Sequence, residues 1–172
     1  TVRTLLADHD VFLTDWHNAR DVPLDAGAFG FDDYVTHVIR FVERVGHGVN
    51  LMAVCQPAVP VLAATALLAQ AHSPAQPRTL TLMAGPVDAR VSPTKVNELA
   101  MSKPIEWFEA NVLATVPRRF LGSGRRVYPG FMQITAFMSM NLDRHLRTHV
   151  ELWGNLARGE WENAVRKRDF YN

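Results

Sequence analysis

The 172 residues contain a single cysteine, Cys55. That excludes an internal disulfide framework and a cysteine-built metal site, and it fits a reducing compartment. Long hydrophobic runs are missing as well. The nearest, residues 58–71, is alanine-rich and shorter than the roughly 18 residues a membrane span needs. No excess of one charge exists: 18 Lys and Arg stand against 17 Asp and Glu, a formal net charge of +1. Such a balance argues against nucleic acid as a main partner. Seven histidines occur without metal-ligand spacing; His145 and His149 form an i, i+4 pair, but no third ligand accompanies them. Internal repeats and low-complexity tracts are absent.

What is present is an apolar content of 48%, enough to bury a core in one domain or slightly more. Residues 10–16, DVFLTDW, combine β-branched and aromatic residues and predict a buried strand ending at Asp15 and Trp16. A loop rich in Asn, Asp, Pro and Gly follows. Phe31, Tyr34, Val35, Val38, Phe41, Val42 and Val45 then recur at steps of three and four, which predicts an amphipathic helix stopped by Gly46 and Gly48. Residues 49–54 predict a second strand. Val61, Leu62, Ala63, Ala64, Ala66, Leu67 and Leu68 predict a helix apolar on nearly all sides and therefore buried. Residues 78–85 predict a third strand. Strands alternating with helices imply an α/β fold with a three-stranded parallel sheet. In such sheets sites gather at the carboxyl ends of strands, where Asp15, Trp16, Cys55, Gln56, Gly85 and Asp88 all fall.

Beyond Ser92 no good strand pattern remains. Ser92 reads as an N-cap with Pro93 at the first helical position. Helices are expected over 104–116, 131–140, 142–159 and 160–171, with a loop at 118–130. The expected division is therefore a sheet-forming segment, 1–91, and an all-helical segment, 92–172. Both ends of the chain carry helical patterns (TVRTLLADH and RKRDFYN), and it is expected to be the central piece of a longer protein.

The stretch VNLMAVCQPAVPVLAATALLAQA sets Cys55 between a strand and an immediate helix. This is the arrangement of a nucleophile elbow. Unpaired N–H groups and the positive end of the helix dipole stand behind the thiol and favour its thiolate. The Gln56 N–H is placed to hold an oxyanion. Pro57 and Pro60 fall in the first turn of the helix, where a missing N–H has no consequence. Against this, elbows usually read G-x-S-x-G, and here the flanking positions are Ala53 and Pro57. A lone cysteine in an apolar run also suits a buried packing role. On the residues alone both readings stand.

The segments DVFLTDWHNARDVPLDAGAFGFDDYV, AVCQPAVPVLAA, AGPVDARVSPTKVN and GRRVYPGFMQ together resemble intracellular polyhydroxyalkanoate (polyhydroxybutyrate) depolymerases. The resemblance implies a partial α/β-hydrolase sheet followed by a helical cap. It implies a cysteine nucleophile at Cys55 and an oxyanion donor in the Gln56 backbone, with Pro57 completing the family's Cys–Gln–Pro elbow. The triad Asp and His, and the second oxyanion donor, are implied to lie outside these residues, so a piece of this length is expected to be inactive by itself. Also implied are a polymer or granule surface as partner, a cytoplasmic and granule-associated location, no bound cofactor, and coenzyme A as an acyl acceptor competing with water. Oligomeric state is left open.

Other candidates have plainer roles. Asp15 and Trp16 suit a site wall or a loop anchor. Asp88 suits a wall position or a loop fixed through Arg90. The Met- and Phe-rich 131–140 helix is either core or a polymer-binding surface. Arg118–Arg119, Arg125–Arg126 and the run 166–168 suit solvated charge or contact with an anionic surface. Two further functions compete: a polyhydroxyalkanoate synthase-like acyltransferase, disfavoured because AVCQPAV lacks that family's glycine, and a non-catalytic granule-binding module.

Overall fold

A computed structural model describes residues 2–171. About half of the chain is α-helical. Contacts divide it into two units, Val22–Ile105 and a second that joins the segment ending at Asp21 to the segment from Glu106 onward.

The first unit is a small α/β layer. Its elements are α2 (Phe31–Val45), β1 (Asn50–Val54), α3 (Ala58–Gln70), β2 (Thr79–Met83) and α4 (Lys95–Ser102); α1 (Val2–Leu5) belongs to the other unit. β1 and β2 pair in parallel, with Asn50 opposite Thr79 and Val54 opposite Met83. The Asp33 carboxylate accepts from the Gly30 N–H at 2.8 Å and so caps the start of α2. Val35, Val38 and Val42 of α2 meet Ala58, Val61, Ala64 and Leu68 of α3, and Ala53 and Ala75 complete the core. Small residues dominate, which lets the helix backbone lie close to the sheet. The buried side of α3 is one stripe; Ala66 and Leu67, expected inside, are exposed.

Only one face of this sheet is covered. Leu51, Ala53, Leu80 and Leu82 point into the core, while Met52, Val54, Thr81 and Met83 are exposed on the other face. Parallel sheets usually have both faces covered.

The sheet has two parallel strands rather than three. Residues 10–16 form no regular element and lie outside both sheets. Phe12 and Leu13, neighbours in sequence, are both 71% exposed, so no alternation of faces exists there. An apolar run supplies side chains for a strand; the strand itself needs a neighbour's hydrogen bonds.

The second unit comprises α5 (Ile105–Asn111, from Glu106 on), β3 (Ala114–Thr115), β4 (Arg126–Val127), α6 (Gly130–Met140), α7 (Leu142–Ala157) and α8 (Trp161–Tyr171). It is not wholly helical. β3 and β4 pair antiparallel, and the Val116 N–H donates to the Arg125 carbonyl at 2.8 Å. Pro117, Gly122 and Gly124 (φ 89°) turn the intervening loop back on itself. Arg20 and Arg119 lie over the Phe120 ring at 4.8 and 5.0 Å, and the Gly122 N–H donates to the Arg20 carbonyl at 2.7 Å. These contacts tie the early segment to the loop.

Ser92 does not cap a helix. Its φ is 52°, whereas an N-cap needs an extended backbone. Thr94 takes that role with φ −81° and ψ 164°; its hydroxyl accepts from the Asn97 N–H, and the Asn97 side chain accepts from the Thr94 N–H at 2.9 Å.

Candidate active site

β1 ends at Val54 and α3 begins at Ala58, so three residues make the turn. Cys55 turns the chain with φ 65°, a left-handed conformation uncommon for a residue with a side chain. Pro57 follows in helical conformation (φ −57°, ψ −15°) and starts the helix. The first-turn donors are satisfied locally: the Ala58 N–H reaches the Cys55 carbonyl at 3.0 Å, and the Val59 N–H reaches the Gln56 carbonyl at 3.4 Å. Pro60, next in line, has no N–H to satisfy. The two prolines thus stand at the helix start directly after Cys55.

Three facts describe the chemistry available at this turn. The Cys55 thiol is exposed, not packed into the core. The Cys55 N–H is used, donating to the Met83 carbonyl at 2.8 Å, which extends the β1–β2 pairing by one bond. The Gln56 N–H, in contrast, donates to no acceptor among the described residues. An exposed thiol and an unused backbone donor therefore sit on consecutive residues.

The neighbouring strand end is strained too. Ala84, the residue after β2, has φ 51°, and Gly85 follows. Cys55 and Ala84 come directly after the paired residues Val54 and Met83. Two non-glycine residues with positive φ thus stand at adjacent strand ends. Such strain persists only where the surroundings over-determine it, and it clusters at functional sites.

The other candidates are placed as follows. Asp88 Oδ1 accepts from the Arg90 N–H at 3.0 Å and from Arg90 Nε at 2.8 Å, and its Oδ2 accepts from Arg90 at 2.8 Å. The Arg90 side chain, and then the Arg90 N–H, hold the Asp88 carboxyl below its ordinary range. This is a loop clasp on the surface. Asp15 and Trp16 lie on the irregular segment of the other unit, and both are exposed. His149 Nδ1 is 2.8 Å from the His145 carbonyl, one turn back along α7. No group of three potential metal ligands occurs among the described residues. Among them, too, no helix is long and apolar enough to cross a membrane. A groove between α2 and α3, lined by Ile39, Glu43, Leu67 and Ala71, lies toward the far end of α3. Leu67 stands ten positions along the helix from Pro57, about 15 Å, so the groove is not part of the Cys55 turn.

On the apolar side of residues 131–140 the side chains are not plain core. Phe131, Ile134 and Phe137 are 68%, 63% and 47% exposed and recur every three residues on α6. They form a surface stripe. Met and Phe at helical spacing favour core in the sequence, but spacing alone does not say which way a face points.

A model of the family described as PHB de-polymerase C-terminus matches residues 84–172, just over half of the chain. The chain belongs to the polyhydroxybutyrate depolymerase family. The matched span begins at Ala84, the strained residue after β2, and includes Gly85 and Asp88; Cys55 and Gln56 precede it. Neither the curated proteins nor the solved structures gave a match.

Proposed function

We propose that this chain carries the nucleophile of an intracellular polyhydroxyalkanoate depolymerase that cleaves the polymer through a cysteine acyl-enzyme. Residues 1–91 are read as part of an α/β-hydrolase core and residues 92–172 as its cap. The observation that carries the reading is the turn itself. Cys55 is exposed and left-handed between β1 and α3, with the Gln56 N–H unused beside it.

The reaction follows the logic of nucleophilic catalysis. A histidine, oriented by an aspartate, takes the proton from Cys55; the family resemblance puts both outside this chain. The sulfur adds to an ester carbonyl of the polymer, and the Gln56 N–H is one donor to the resulting oxyanion. The carbon–oxygen bond breaks, the departing alkoxide takes the proton, and an acyl thioester remains on Cys55. Water, or the thiol of coenzyme A, then takes the acyl group. The exposed stripe of α6 supplies an apolar surface for polymer, and the enzyme works in the cytoplasm at the granule.

The test is Cys55→Ala in the complete protein, assayed on amorphous polyhydroxybutyrate granules. Hydrolysis is expected to fall at least about 10,000-fold. Unchanged hydrolysis would remove Cys55 from the mechanism. Adding coenzyme A and measuring hydroxyacyl-CoA against free acid separates the two acceptors. If hydroxyacyl-CoA is instead polymerised with release of CoA, the synthase reading replaces this one.

A further inference from the structure

Gly85 differs from the glycines that turn this chain. It does not have a positive φ, so its backbone conformation is open to any residue. What it lacks is room. A Cβ placed on Gly85 would lie 2.1 Å from the Ala58 Cβ, 3.1 Å from the Cys55 carbonyl oxygen and 3.6 Å from the Ala58 Cα. Carbon atoms in contact sit at about 3.5–4.0 Å, so the first of these distances is an overlap. The Ala58 side chain is fully buried and rigidly attached to α3, and it has no rotamer by which to escape.

The contact falls where the Cys55 turn is made. Cys55 is held on one side by its N–H bond to Met83. On the other side its carbonyl receives the Ala58 N–H and lies beside Gly85. Residues 83–85 therefore grip the turn from both ends. Ala84, at φ 51°, bends the chain between those two grips. We propose that Gly85 is a positioning residue for Cys55: its missing side chain lets the exit of β2 close onto the first turn of α3, and that closure keeps Cys55 in its left-handed conformation beside the Gln56 N–H.

This inference rests on the reading of Cys55 as nucleophile. A side chain at position 85 must push α3 or the β2 exit away. The turn then relaxes, and the sulfur moves relative to the Gln56 N–H. Because both must act on one carbonyl, a displacement near 1 Å is expected to cost up to about 100-fold in turnover. Polymer held by an apolar surface elsewhere keeps its affinity.

The experiment compares Gly85→Ala, Ala58→Gly, the Gly85→Ala/Ala58→Gly pair and Cys55→Ala in the complete enzyme. Each is assayed as kcat and KM on a soluble 3-hydroxybutyrate oligomer, per folded molecule as scored by circular dichroism. Gly85→Ala is expected to lower kcat by about 10- to 100-fold with little change in KM. The double variant, relieved of the 2.1 Å contact, is expected to recover most of that loss relative to Ala58→Gly alone. If Gly85→Ala does not fold, recovery of both fold and kcat in the double variant carries the same conclusion. Full kcat in Gly85→Ala, or a double variant no better than the single, overturns the positioning role while Cys55→Ala remains inactive. Full activity in Cys55→Ala overturns the nucleophile reading and this inference with it.

Discussion

The two units differ in how much apolar surface they bury. In Val22–Ile105 the buried residues form one continuous cluster across α2, β1 and α3. In the unit from Glu106 onward, the buried residues are few. α7 buries an asparagine, Asn155, whose Oδ1 accepts from Arg158 at 2.8 Å. The same helix exposes Leu142, Leu146, Val150 and Trp153, which share one side by their spacing of four, four and three. α6 adds Phe131, Ile134 and Phe137. Both units expose large apolar side chains, but only Val22–Ile105 also gathers a continuous buried cluster, while α6 and α7 range theirs in surface stripes. Exposed apolar stripes of this kind mark contact surfaces.

The sharpest way to break the comparison is to make the same truncation in both units. Leu68→Ala removes a core side chain only 3% exposed and should cost about 2–5 kcal/mol. Leu146→Ala, at 57% exposure, should fall within about 0.5 kcal/mol of wild type. Urea unfolding, with hydrogen exchange to assign each loss to its unit, reads both. Equal costs would mean that the α7 stripe is packed in solution. A smaller effect, on binding rather than stability, is expected from Phe131→Ser combined with Trp153→Ser. Co-sedimentation with polymer granules should weaken by about tenfold while the unfolding curve stays in place. Retention at wild-type level would show that polymer is held elsewhere.

The smallest effect concerns acid. Hydrogen bonding to Lys167 lowers the Glu151 carboxyl below its usual range, and hydrogen bonding to Arg158 does the same for Glu160. In the sheet unit, Asp88 is lowered by Arg90. A depressed carboxylate stabilises the fold above its unfolded value and loses that contribution as pH falls through its folded value. Two such groups stand in the helical unit, and the Glu151–Lys167 pair joins α7 to α8. Amide protection in α7 and α8 should therefore drop more than in β1 and β2 as pH falls below about 4.5 toward 3. All these pairs are exposed, so the difference will be slight and will shrink in high salt.

Local patterns proved legible and long-range partnerships did not. The helix α2, its stop at Gly46, and the helix start after Cys55 follow from spacing, glycine and two prolines, and the structure has all three, although of the expected α2 face only Val35, Val38 and Val42 are buried while Phe31, Phe41 and Val45 are exposed. The loop clasp of Asp88 by Arg90 was readable for the same reason, since they stand two positions apart. Residues 10–16 misled because strand-like composition carries no information about a pairing partner. The β3–β4 ladder escaped notice because two residues per strand are too few to alternate. Ser92 and Thr94 both look like caps, and only the backbone decides between them. At the site, the exposure and turn of Cys55 could be argued from its flanks. The contact of Gly85 with Ala58 could not, because they stand 27 positions apart and no local rule links them.

The uncovered face of the β1–β2 sheet has a practical use. Met52 and Met83 both open onto it, each 45% exposed, and Met83 lies beside Val54 in the register. Thioether sulfurs so placed are open to mild peroxide, which turns them into sulfoxides. Each methionine thus becomes a built-in footprinting probe. Whatever polypeptide or polymer comes to rest on that side of the sheet will slow their oxidation, and mass spectrometry of two peptides will record it.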